Sequence, residues 1–141
     1  MRFVVYGEPQ GKARPRFARG RTYTPKNTVE YEKRIRNAFI ETGEKSFGEK
    51  PVGIRLICKF GIPKSTPKKR ISKMLIGLFL PTKKPDVDNI AKVYMDALNG
   101  VAYDDDKQVV CLVVYKQYDE KPHVHVDVYD YEKLMEWRVS C

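Results

Sequence analysis

The stretch VGIRLICKF carries an apolar side chain at every second position: Val52, Ile54, Leu56, Cys58 and Phe60. Successive side chains of a strand point to opposite faces, so this period predicts a strand with one buried and one wetted face. HVHVDVYDY repeats the pattern, with Val124, Val126 and Val128 turned inward. QVVCLVVYKQY is apolar almost throughout and reads as a buried strand. Residues 2–6 read as a further short strand. A sheet with one apolar face must be covered by a second layer. Two segments have the period to supply it. In NTVEYEKRIRNAFIETG, Tyr31, Ile35 and Phe39 recur every four residues beside Ala38, and Gly43 stops the helix. Ile90, Val93, Tyr94, Ala97 and Leu98 form the stripe of another helix, closed by Asn99-Gly100. Short helices are expected at 72–77 and 131–138, with Trp137 packing in the second. The order β-α-β-(α)-α-β-β-α predicts an α+β fold, a small mixed sheet with helices on one face. At 141 residues the chain reads as one domain, 1–141.

Charge narrows the partners. The formal net charge is +9, which favours a polyanion such as nucleic acid or an anionic membrane surface. The three cysteines, Cys58, Cys111 and Cys141, form no CxxC. Neither a disulfide framework nor a zinc site is suggested, and Cys58 and Cys111 read as reduced core residues. The first residues lack a signal-peptide pattern, and the apolar run MLIGLFL is too short to cross a bilayer. The expectation is a soluble intracellular protein without a membrane partner.

Against that positive background, KPDVDNIAKVYMDALNGVAYDDDKQV at 84–109 collects six aspartates: Asp86, Asp88, Asp96, Asp104, Asp105 and Asp106. Like charges held together are unfavourable unless neutralised. If Asp86–Asp88 is extended, both carboxylates point to one side. Asp88 or Asn89 then caps a helix whose polar side carries Asn89, Lys92 and Asp96, with Lys92 one turn after Asp88. Asp105 and Asp106 stand at the mouth of the next strand. Clustered hard oxygens suit Mg²⁺ or Mn²⁺, and a cation pair can promote phosphoryl displacement. Lys92 can stabilise the charge that develops on phosphorus oxygens. Asp96 and Asp104 are read as surface and turn residues. Caps and turns also favour aspartate, so each of these residues has an ordinary structural alternative.

GKARPRFARGRTY reads as a loop by its turn chemistry and presents Lys12, Arg14, Arg16, Arg19 and Arg21, with Phe17 and Tyr23 interleaved. Arginine matches phosphate geometry and aromatic rings stack on unpaired bases. Lys68, Lys69 and Arg70, with Lys83 and Lys84, form a second basic set that can flank the acidic window. His123, His125 and Asp127 share one strand face; His-x-His can bind zinc, and alternation on an exposed strand gives the same pattern. The runs 74–80 and 109–115 are richer in apolar residues than one core face needs.

The ordered string Asp86-Val87-Asp88-Asn89, Lys92, Asp96-Ala97-Leu98 and Asp105-Asp106-Lys107-Gln108-Val109 resembles the RusA family of Holliday junction resolvases, small endodeoxyribonucleases often carried by prophages. GEPQGKARPRF and YTPKNTVEYEKRIR are similar to the form seen in Gram-positive bacteria and their phages. The resemblance implies a RusA-like fold. It places the catalytic, metal-holding aspartates on Asp86, Asp88 and Asp106 and the essential lysine on Lys92. Asp105 is an acidic neighbour and a further candidate ligand; choosing Asp106 depends on anchoring at Gln108. The resemblance also implies a cytoplasmic homodimer, bacterial or phage-encoded, acting in DNA recombination or repair. Such a dimer nicks opposed strands of a four-way junction with Mg²⁺ or Mn²⁺ and no small-molecule cofactor. A twofold dimer can place equivalent sites on both strands of a twofold junction. The alternative is a non-catalytic basic module that binds nucleic acid through its arginines.

Overall fold

The computed structural model describes residues 1–140, with side chains described through residue 135, so the expectation for Trp137 lies outside the described residues. In chain order the elements are β1 (Arg2–Tyr6), β2 (Arg16–Ala18), β3 (Arg21–Tyr23), α1 (Lys26–Glu41), β4 (Val52–Gly61), α2 (Lys68–Leu75), α3 (Val87–Leu98), β5 (Val109–Asp119), β6 (His123–Asp130) and α4 (Tyr131–Ser140). One 3₁₀ turn, Asp106–Gln108, leads into β5. The fold is α+β, built on a mixed four-stranded sheet in the order β1-β6-β4-β5. β6 runs antiparallel to β1 and β4, whereas β5 is parallel to β4. A parallel pair needs a crossover, and α2 and α3 supply it.

The period-two pattern sets the face of each central strand. Val52, Ile54, Leu56, Cys58 and Phe60 of β4 are buried with Val124, Val126 and Val128 of β6. α1 and α3 cover this face through Tyr31, Ile35 and Phe39 and through Ile90, Val93, Tyr94, Ala97 and Leu98. The two helices are tied where the Tyr31 and Tyr94 hydroxyls meet at 2.7 Å, with their rings edge to face. Burial pushes both phenols up and Cys58 up to about 12, so Cys58 is a packing residue rather than a nucleophile.

The structure moves four expectations. β5 is an edge strand, so it is not fully buried: Val110, Leu112 and Tyr115 are exposed, and Cys111 is only half-buried. The short helix expected at 72–77 starts earlier, at Lys68. The arginine segment is a β-hairpin rather than a loop. The helix at the acidic window begins at Val87, with Asp86 as its N-cap. Among the described residues no helix is long and apolar enough to cross a membrane.

Asp130 closes β6 and caps α4. Its carboxylate accepts from the backbone N–H of Glu132 at 3.1 Å and of Lys133 at 3.2 Å, and Lys50 lies 3.6 Å away. Desolvation alone would raise its pKa, but the Lys133 amide, the Lys50 ammonium and the Glu132 amide outweigh it and hold the carboxyl low. A lowered carboxyl contributes stability above its unfolded pKa and loses it as pH falls through the folded value. Asp130→Ala is therefore expected to cost about 1 kcal/mol near neutrality. Thermal melts should show that difference shrinking in acid; an equal loss at every pH would contradict the assignment.

Candidate active site

The start of α3 decides where two of the carboxylates go. Asp86 has extended backbone (φ −72°, ψ 154°) and its carbonyl accepts the first helical bond, from Ile90, at 3.0 Å. Its side chain makes no capping hydrogen bond, so the carboxylate is not spent on the helix. Asp88 already lies in the first helical turn. This corrects the extended reading of Asp86–Asp88: residues two apart on a helix do not face each other. The two carboxylates are exposed on neighbouring parts of the helix start rather than on one side of a strand.

Asp88, Lys92 and Asp96 follow at intervals of four, which places them in one row along α3. The row is about 12 Å long at the helical rise. Lys92 is exposed. Among the described residues it forms no ion pair with either neighbour. Its ammonium is left to the solvent and to whatever lies over the row.

The far end of the row meets the turn before β5, where adjacent aspartates take different jobs. Asp105 caps the 3₁₀ turn: its carboxylate accepts from Lys107 N at 3.1 Å, and its own N–H donates to Gln108 Oε1 at 3.0 Å. Gln108 Nε2 in turn donates to the carbonyls of Gly48 and Lys50. The Lys107 amide, together with a hydrogen bond to Asp106, lowers the Asp105 pKa. Asp106 moves the other way, raised by desolvation and then by Asp105 and Asp96. Tyr103 is buried beside them and donates to Met95 O at 2.8 Å. Its phenol is pushed up by burial and then by Asp106, Asp96 and Asp105. The structure thus gathers Asp96, Asp105 and Asp106 at one end of the row, with Asp86 and Asp88 at the other. Among the described residues no three His, Cys, Asp or Glu side chains stand close enough to enclose a metal ion.

Lys12, expected among the DNA-binding cations, has its charge committed inside the protein. Its ammonium lies 2.5 Å from Glu32 and 3.1 Å from Asp96, and its backbone N–H donates to Asn89 O at 2.9 Å. Asp96, expected at the surface, is therefore part of the site. Its place in the row was visible from the four-residue spacing. Nothing in the sequence pointed Lys12 toward it, because the two lie 84 positions apart in the chain.

The remaining basic residues are exposed: Arg14, Arg16, Arg19 and Arg21 on and before the hairpin, Lys68, Lys69 and Arg70 on α2, and Lys83 and Lys84 just before Asp86. Arg70 rests over the Phe79 ring, 4.7 Å from its centre. His123 and His125 face each other on the open side of the sheet, Nε2 to Nε2 at 3.0 Å. Asp127, on the same face, lies within ion-pair reach of Arg2 and Arg55.

An exposed acidic row with a lysine outside every described ion pair, bordered by exposed cations, is a layout suited to phosphodiester chemistry. Comparison with known proteins agrees with it. The family model for endodeoxyribonuclease RusA matches residues 6–129. The chain belongs to the RusA family. The match spans the end of β1 through most of β6 and includes the whole acidic row. The chain is also similar to the uncharacterized protein YqaN of Bacillus subtilis (strain 168), 36% identical over 132 residues, covering 89% of this chain and 93% of that one. RusA membership places this chain among the endodeoxyribonucleases.

Proposed function

We propose that this chain is a divalent-cation-dependent nuclease that resolves four-way DNA junctions by paired, symmetric nicks. The observation that carries the reading is the row of uncommitted charge at the start of α3, Asp86, Asp88 and Lys92, in a chain of an endodeoxyribonuclease family. The donor set fits Mg²⁺ or Mn²⁺ in kind, since all the donors are hard carboxylate oxygens. Mg²⁺ is commonly held by one or two carboxylates together with substrate phosphate and water, so an enclosed three-residue cage is not required. Asp86 and Asp88 at the start of the row and Asp106 at its far end are the residues that would offer carboxylate oxygens to the cation or cations, with Asp105 stabilising the turn that carries Asp106. When bound, such a cation activates water and neutralises phosphate charge.

The chain's own groups do the rest. Lys92 stands one turn from Asp88 on the same face, where its ammonium stabilises charge on the phosphate oxygens and the departing oxygen. Lys83, Lys84, Lys68 and Lys69 and the hairpin arginines hold the flanking backbone. The exposed side chains Leu75, Ile76, Leu78 and Leu80 on and after α2, a helix that packs beside β5, and Val110 and Leu112 on β5 offer apolar surface. A second copy of the chain covering it would bring two sites to opposed strands.

The test is cleavage of a labelled four-way junction beside a linear duplex of the same sequence, in Mg²⁺, Mn²⁺ or EDTA. Paired symmetric nicks in the junction alone, absent in EDTA, are expected. Equal cutting of the linear duplex would overturn junction selectivity, and single unpaired nicks would overturn the dimer. Binding without product under every condition would leave the non-catalytic module.

A further inference from the structure

The hairpin β2–β3 stands apart from the rest of the fold in both packing and chemistry. Its two strands pair Arg16 with Tyr23, Phe17 with Thr22 and Ala18 with Arg21, and every one of these residues is exposed. Pleating puts Arg16, Ala18, Arg21 and Tyr23 on one face and Phe17 and Thr22 on the other. Phe17 is 74% exposed. Arg19 and Gly20 form the tip, both with positive φ, 52° and 74°. That is the two-residue turn whose twist suits a hairpin, and its first position favours Asn, Asp or Gly. An arginine there carries a backbone cost and places a cation at the tip. Among the described residues none of Arg14, Arg16, Arg19 and Arg21 pairs with a carboxylate.

The base of the hairpin is fastened to the acidic row. Gly11 passes so close to α3 that a Cβ there would sit 3.0 Å from both Asn89 Cβ and Pro85 Cβ. Lys12 binds Asn89 through its backbone and Asp96 and Glu32 through its ammonium. Ala13 N donates to Thr28 Oγ1 of α1 at 3.3 Å. Phe17 lies five residues beyond Lys12, so at most about 18 Å of chain separates them.

We propose that Phe17 is a specificity-determining residue that stacks on a base unpaired at the branch point while the surrounding arginines hold the flanking phosphates. The proposal rests on the junction-nuclease reading above. A bare aromatic ring on one face of a hairpin whose other face, tip and approach carry guanidinium groups without carboxylate partners among the described residues matches single-stranded or unstacked nucleic acid, where rings bind base faces and cations bind backbone. An apolar protein groove would leave those cations without partners. Fully paired duplex offers no free base face, so the contact favours branched over linear DNA.

The test compares wild type, Phe17→Ala and Phe17→Tyr on a four-way junction carrying 2-aminopurine at the crossover. Fluorescence is read at saturating protein in EDTA, so that no strand is cut, and nicking is then read in Mg²⁺. Wild type and Phe17→Tyr are expected to change the 2-aminopurine emission alike. Phe17→Ala should bind without that change and nick the junction about 10-fold or more slowly, the loss of one stacked base. Its melting temperature should match wild type, because the Phe17 ring stands in solvent. Wild-type emission and wild-type nicking in Phe17→Ala would overturn the inference while leaving the nuclease reading intact. A shift from dimer to monomer on sedimentation of Phe17→Ala would assign the hairpin to subunit contact and overturn it as well. A wild-type protein that nicks no DNA would instead remove the reading on which it rests.

Discussion

Asp106→Asn is expected to slow strand nicking by about 10²–10³-fold, the scale on which removing one group that stabilises a transition state acts, while junction binding survives. Asp105→Asn should keep most of the rate. The two neighbours differ because only Asp105 is engaged by the backbone: it caps the 3₁₀ turn, and asparagine caps nearly as well as aspartate. Asp106 has the opposite environment, a carboxyl pushed up by desolvation, Asp105 and Asp96. A raised folded-state pKa means that ionising Asp106 costs the fold stability above that pKa, and that the cost vanishes below the unfolded value. Asp106→Asn should therefore raise the melting temperature at neutral pH and leave it unchanged in strong acid. The check is nicking rate, junction affinity and melting temperature measured together on both variants. An inactive Asp105→Asn protein beside an active Asp106→Asn protein would exchange their roles.

Leu56→Ala is expected to produce the largest loss of stability, about 3 kcal/mol, or roughly a 10 °C fall in melting temperature for a domain of this size. Leu56 sits in the middle of β4 with no solvent exposure. Its register partners on the two flanking strands are Val114 and Val126. Valine side chains are stiff at χ1, so the neighbours cannot readily collapse into the space left behind. Denaturant or thermal unfolding gives the number; a loss below about 1 kcal/mol would mean that the sheet repacks more freely than its geometry suggests.

Periodicity carried most of the fold. The alternation in β4 and β6 and the four-residue stripes of α1 and α3 each name the buried face in advance, because a side chain's direction follows from its position in the backbone repeat. The aspartates and Lys92 were legible for a related reason: they are close in sequence, so local geometry keeps them on neighbouring elements. The hairpin was not legible because its turn is Arg-Gly, a weaker signal than Asn-Gly, in a stretch dense with Pro and Gly.

Hydrophobic patterning by itself determined which faces of the strands and helices are buried, and spacing along α3 determined that Asp88, Lys92 and Asp96 share a side. Only the tertiary structure decided that β5 takes an edge, that Lys12 is drawn between Glu32 and Asp96, and that Asp105 caps a turn while Asp106 is left among like charges. Those outcomes depend on contacts between residues far apart in the chain, whose energies no local repeat encodes.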